Sequence, residues 1–200
     1  MTPSLYQQAI KAHQAGQHDR AIDLFLQELE VHPQDGRTMY NLANVYADLE
    51  EYETAVTYYQ QAIEQDATIA GVWYNLGNAC LELKDYETAI HAFEQAIELK
   101  PGYVEAWFNC GVAYTEQQQP DEAIRCYQQS VRLDQNFHYG WYNLACLFAS
   151  RSDLRQTLYC LKEAFAKSGK DMKYREMALE DPYFEPVRRH PEFLKLLGVQ

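Results

Sequence analysis

Trp73, Trp107 and Trp141 stand 34 residues apart, and Asn41, Asn75, Asn109 and Asn143 keep the same interval. A fixed period of this length restricts the fold more than any other feature of the chain. It is what a stack of one repeated supersecondary unit produces, each copy burying its apolar face against the next. Within one period, Trp73, Leu76, Gly77 and Cys80 follow the i, i+3, i+4, i+7 spacing of a single helical stripe. A second apolar set, Ala89, Phe93 and Ala96, lies beyond a short polar break, so each period reads as two antiparallel helices. The eighth slot carries only small residues, Ala9, Ala43, Gly77, Gly111 and Ala145, which lets the paired helix come close.

Trp73, Leu76, Gly77, Ala89, Phe93, Ala96 and Pro101 together resemble the tetratricopeptide pattern W-x2-L-G-x2-Y…A-x3-F…P, with Cys80 in place of its tyrosine. The period 104–137 keeps Trp107, Gly111, Tyr114, Ala123 and Tyr127, with Cys110 in the leucine slot and Gln135 in place of the proline. The period 36–69 offers Met39 for the tryptophan, then Leu42, Ala43, Tyr46, Ala55 and Tyr59. The first, 2–35, is recognisable by Ala21, Phe25 and Pro33. The fifth, 138–171, keeps Trp141, Leu144, Ala145 and Phe148 but has Thr157 where the second helix expects alanine. The resemblance covers five repeats and implies an all-α, right-handed superhelical solenoid of antiparallel helix pairs. Residues 172–200 are expected to cap it. One helix would carry Met172, Tyr174, Met177, Ala178 and Leu179, Pro182 would stop it, and a short helix would run from Pro191 to Leu197.

The resemblance implies a protein-binding array, whose first helices would present the candidate site. Reading the repeats slot by slot gives a column of aromatics, Tyr40, Tyr74, Phe108 and Tyr142, next to a column of asparagines, Asn41, Asn75, Asn109 and Asn143. Asn44 and Asn78 lie one helical turn on, and Glu82 and Glu116 close the same face beside Asp48. An asparagine amide matches the donor and acceptor of a peptide backbone, so the column suits an extended chain in a concave groove. The same residues could instead pack between neighbouring helices, and both roles stay open at this point. The carboxylate clamp of chaperone-binding members of the family is not expected. Asn44 and Asn75 match its asparagines, but Tyr40, Glu105 and Asn109 stand where it needs cations. Tyr58, His91 and Gln128 on the second helices offer another binding surface.

Charge narrows the partner. Residues 1–136 hold 7 Lys/Arg against 21 Asp/Glu, while 137–200 hold 10 against 8. The acidic body disfavours nucleic acid and favours a basic peptide segment of a protein partner. A second reading is head-to-tail self-assembly into a homo-oligomer, the basic stretch around Arg188 and Arg189 entering the acidic face of another copy. A third makes the chain an accessory subunit of an enzyme or assembly complex.

No enzyme is expected. The six histidines show no i, i+3 or i+4 pairing and no H-E-x-x-H motif, so no metal site is expected, and His13 reads as a lone polar residue. No phosphate loop or nucleophile elbow is present, and no cofactor is expected. Five cysteines without a C-x-x-C pair read as free thiols of a reducing compartment. With neither signal peptide nor membrane span in view, the expected location is cytoplasmic.

Overall fold

A computed structural model describes residues 3–169 and 171–199, with the backbone alone at 171 and 172. The Met172 side chain and the terminal positions Thr2 and Gln200 therefore lie outside the described residues. The chain is all-α and divides into two compact halves, Met1–Pro101 and Gly102–Gln200. The first half holds α1 (Leu5–Gln14), α2 (His18–Val31), α3 (Gly36–Asp48), α4 (Tyr52–Gln65), α5 (Ala70–Glu82) and α6 (Tyr86–Leu99). The second holds α7 (Val104–Glu116), α8 (Pro120–Leu133), α9 (His138–Ser150), α10 (Leu154–Ser168), α11 (Asp171–Glu180) and α12 (Pro191–Leu197), with a 3-10 turn at Pro182–Phe184.

Consecutive helices pair, α1 with α2, α3 with α4, α5 with α6, α7 with α8 and α9 with α10, and in the first half α3 also lies against both α1 and α5. The stripes foreseen from spacing are the cores of these pairs. Leu76 and Cys80 on α5 are buried, and Ala89, Phe93 and Ala96 on α6 are fully so. Gly77 is the contact point: a Cβ there would stand 2.6 Å from Phe93 Cε1, so only a hydrogen lets the two helices meet. Gly111 stands in the same relation to Tyr127, at 2.7 Å from Cε1.

The tryptophans that mark the period are only half-buried. Trp73 Nε1 donates to the carbonyl of Ala67 at 2.8 Å, and Trp141 Nε1 to that of Gln135 at 3.0 Å. Each indole thus secures the loop six residues before it, using its polar handle while its ring packs. Thr157, in an alanine slot, is fully buried because its hydroxyl donates to the Asp153 carbonyl at 2.7 Å.

Every turn within a helix pair contains one left-handed residue: Gly16, Glu50, Lys84, Gln118 and Ser152, with φ between 58° and 70°. They too recur every 34 positions, and only the first is glycine. The turn then closes with a backbone bond back to the first helix, as from Glu51 N to the Tyr46 carbonyl at 2.9 Å.

After α10 the chain folds back over α9 and α10. Tyr174, Ala178, Phe184, Val187, Phe193 and Leu197 join the same core as Leu144, Leu161 and Phe165. Pro182 does stop α11, and Asp181 caps the turn by accepting from Tyr183 N at 3.0 Å. Met177, expected to pack, is 40% exposed, and Phe184 and Val187 fill that role.

Candidate functional site

Four first helices, α3 and α5 in one half and α7 and α9 in the other, carry the expected site residues. Asn41 donates to the Tyr6 hydroxyl at 3.0 Å and to its own helix at the Arg37 carbonyl, 2.7 Å. Asn75 repeats the arrangement one period on. It donates to the Tyr40 hydroxyl at 3.2 Å and to Asn44 Oδ1 at 2.9 Å. Asn44 Oδ1 also accepts from the buried Tyr59 hydroxyl at 2.7 Å. Burial, followed by Tyr40 and Asp48 nearby, pushes the Tyr59 phenol well above its ordinary value, so it stays protonated and donates. Tyr6 with Asn41, and Tyr40 with Asn75, are therefore rungs between successive first helices of the N-terminal half. Both amide protons of Asn41 and of Asn75 are spent inside the protein.

The remaining positions differ in exposure. Tyr74 and Asn78 on α5 are half-buried, with Tyr74 tilted against Phe93 at 6.0 Å. Phe108 and Asn109 on α7 are also half-buried, and Phe108 sits edge-on to Phe137 at 5.1 Å. Asn143 stands near the Tyr127 hydroxyl, which meets Thr115 Oγ1 at 3.1 Å; these hydrogen bonds oppose the upward push of burial on that phenol.

Tyr142, expected to face a groove, is 6% exposed beneath the C-terminal segment. Its hydroxyl donates to Asp181 Oδ2 at 3.1 Å, and its ring packs on Tyr174 and Phe184. Burial and the neighbouring Cys146 and Asp181 drive its phenol far upward. Val112, Thr115, Glu116, Asn143, Asp181 and Tyr183 are among the residues lining the recess left there, of about 170 Å³. The 35-residue step from Cys146 to Asp181, whose thiol and carboxylate lie 3.7 Å apart, matches the step of the rungs.

Asp48, Glu82 and Glu116 are the last residues of α3, α5 and α7, all exposed, and none of these helices has a basic residue in its last turn. A carboxylate beside the negative pole of a helix is unfavourable by about 0.3–1 kcal/mol when uncompensated.

His13 is not alone, contrary to expectation. Its Nε2 lies 2.6 Å from Asp48 Oδ2, and His18 approaches both. The signal was in the numbering: His13 to Asp48 is again a 35-residue step, as are Tyr6 to Asn41 and Tyr40 to Asn75. Arg188 is likewise not a loose tail charge. It donates to Glu185 Oε2 at 2.6 Å and to the Asp181 carbonyl at 2.8 Å.

The five cysteines are buried and free. Burial raises the Cys80 thiol to about 11 and the Cys160 thiol to about 12, and Cys146 is pushed further in the same direction beside Asp181. They are packing residues. No helix among the described residues is long and apolar enough to cross a membrane.

Residues 5–184 match the family described as the cilia and flagella-associated protein 70 C-terminal domain, a tetratricopeptide domain. The chain belongs to that family. None of the curated proteins matches it. Among solved structures it is similar to MamA, at 24% identity and a TM-score of 0.79, over 83% of this chain and 97% of that one. A MamA fragment from Desulfovibrio magneticus RS-1 gives 20% and 0.78, over 84% and 96%. YrrB, described as a TPR protein with an unusual peptide-binding site, gives 21% and 0.77, over 86% and 89%. At these identities the likeness establishes the fold, an all-α tetratricopeptide array.

Proposed function

We propose that this family member is a protein-binding scaffold whose first-helix face holds an extended, Lys/Arg-containing segment of a partner protein. On this reading the chain is five repeats, 2–35, 36–69, 70–103, 104–137 and 138–171, closed by a cap at 172–200. The observation that carries the proposal is the placing of the exposed Glu82 and Glu116 at the negative poles of their helices, while Asp48 in the same position is held by His13. Local consistency would put cations there, and departures from it mark functional positions. A lysine or arginine of a bound segment would interact favourably with both such an exposed carboxylate and the helix end beside it.

The asparagine and tyrosine columns have a different part from that of a free ladder. With their amide protons already used, Asn41 and Asn75 fix the spacing of α1, α3 and α5 in the N-terminal half. Tyr40, Asn44, Tyr74, Asn78, Phe108, Asn109 and Asn143 give the half-buried floor on which the segment lies. The likeness to YrrB supports peptide binding as the mode. The acidic balance of residues 1–136 favours a basic segment over nucleic acid.

The test is fluorescence anisotropy with labelled peptides of equal length and common framework, carrying Lys/Arg in one set and Asp/Glu at the same positions in the other. Binding of the Lys/Arg peptides that weakens as salt rises supports the proposal. Acidic peptides binding as well, or no salt dependence, would refute it.

A further inference from the structure

We infer that His13, His18 and Asp48 form a site for a divalent transition-metal ion, Zn(II) being the reference case, on the first-helix face of the N-terminal half. His13 lies in the last turn of α1 and His18 is the first residue of α2, with the left-handed Gly16 turning the chain between them. Asp48 ends α3. One donor atom from each of the three side chains lies within 4.8 Å of the other two, and the imidazole centroids are 5.9 Å apart.

The His13–Asp48 contact by itself is an ordinary imidazole–carboxylate pair, and it leaves His18 unexplained. The Nδ1 of His18 is buried and has no hydrogen-bond partner among the described residues. A buried ring nitrogen in that condition needs a proton acceptor, a donor or an ion. Bound water would satisfy it, but would not require a second histidine and a carboxylate to converge on one point.

Two imidazoles and one carboxylate form a borderline donor set that suits Zn(II), Ni(II) or Cu(II) rather than Mg(II) or Ca(II). Ligand atoms around a tetrahedral zinc ion sit about 3.3 Å apart, given bonds of about 2.0–2.1 Å. The 2.6 Å pair must open slightly and the widest separation must close, which side-chain rotation can supply because Asp48 is 56% exposed. Three protein ligands leave a fourth position for water. The ion would join the α1–α2 turn to the end of α3, fastening the first helix pair to the second at a rung of the same 35-residue ladder. It would bind the folded chain alone, since the three donors come together only on folding. The inference stands apart from the peptide-binding proposal, which can fail without affecting it.

The experiment is calorimetric titration of zinc sulfate into the untagged, chelator-stripped full chain, with cobalt(II) absorption as a second readout. The expected result is one equivalent bound, a raised melting temperature with zinc, and a cobalt spectrum without a thiolate charge-transfer band. His18→Ala and Asp48→Asn should each weaken zinc binding at least about tenfold and abolish the melting shift while keeping the helical circular dichroism. Asp48→Asn is the nearly isosteric variant and carries the test if His18→Ala misfolds. The inference is overturned by no uptake at about 100 µM zinc, by unchanged uptake in Asp48→Asn, or by a thiolate band assigning the metal to cysteine.

Discussion

Two glycines on α5 should respond to alanine with opposite signs. At Gly77 the added methyl would lie 2.6, 2.7 and 3.0 Å from Phe93 Cε1, Cδ1 and Cζ. Phe93 is fully buried between Ala89 and Ala96, so its ring has no free direction in which to swing. Overpacking of this kind costs about 1–3 kcal/mol, and the clash falls on a ring rather than on a flexible chain end, so the upper part of that range applies. Replacing glycine in a helix returns up to about 1 kcal/mol. The net expectation for Gly77→Ala is a loss of about 1–2 kcal/mol. At Gly71, in the first turn of the same helix, the nearest atom to a new Cβ is the Tyr40 hydroxyl at 3.9 Å, ordinary contact. Gly71→Ala should therefore be neutral or stabilising by up to about 1 kcal/mol. Urea unfolding followed by circular dichroism, compared at equal slope, reads both. If Gly77→Ala matched or exceeded wild type, close approach at the eighth slot would not be what holds each helix pair together.

Asn75→Ala removes bonds to Tyr40 and Asn44 and should destabilise by about 1–2 kcal/mol; an unchanged urea midpoint would show that the rungs contribute nothing. At the left-handed turns, Gly16→Ala should cost about 1–2 kcal/mol and Gln118→Gly should stabilise by a smaller amount, both read in the same melts. The raised thiols of Cys80, Cys146 and Cys160 stay protonated in the folded chain while their unfolded counterparts ionise near pH 9. The unfolded state then binds fewer protons, so stability is constant below about pH 8 and falls by about 1.4 kcal/mol per pH unit for each thiol above pH 9. A pH series of unfolding midpoints, with Cys146→Ala reducing the slope, checks this.

The helix pairs were legible because their determinants are local and repeated. Leu76, Gly77, Ala89, Phe93 and Ala96 announce both a helical face and its partner, and Pro182 and Pro191 place the last breaks. What escaped is what needs the offset between neighbouring repeats. Reading slots as columns at 34 residues put Asn41 beside Asn75, whereas the hydrogen bonds run at 35, from Asn41 to Tyr6 and from Asn75 to Tyr40. The one-residue difference arises because a side chain on one helix reaches a partner displaced along the next, which no single period contains. The pairing of His13 with Asp48 was missed for that reason. The burial of Tyr142 was not legible because it depends on Phe184 and Asp181, which lie beyond the 34-residue periods read from the sequence. The left-handed turn is nearly silent, since Glu50, Lys84, Gln118 and Ser152 share a slot with Gly16 but not its chemistry.

The most direct measurement of the central claim is the dissociation constant of one Lys/Arg peptide for wild type and for Glu82→Gln/Glu116→Gln, across a salt series. Asp48 stays intact in that variant, so a metal effect and a peptide effect remain separable. Exposed ion pairs are worth about 0.2–1 kcal/mol each, so losing two should weaken binding about 2- to 30-fold at low salt, and the gap should narrow as salt rises. Equal affinity of the two proteins at low salt would contradict the claim that these helix-end carboxylates receive a basic segment.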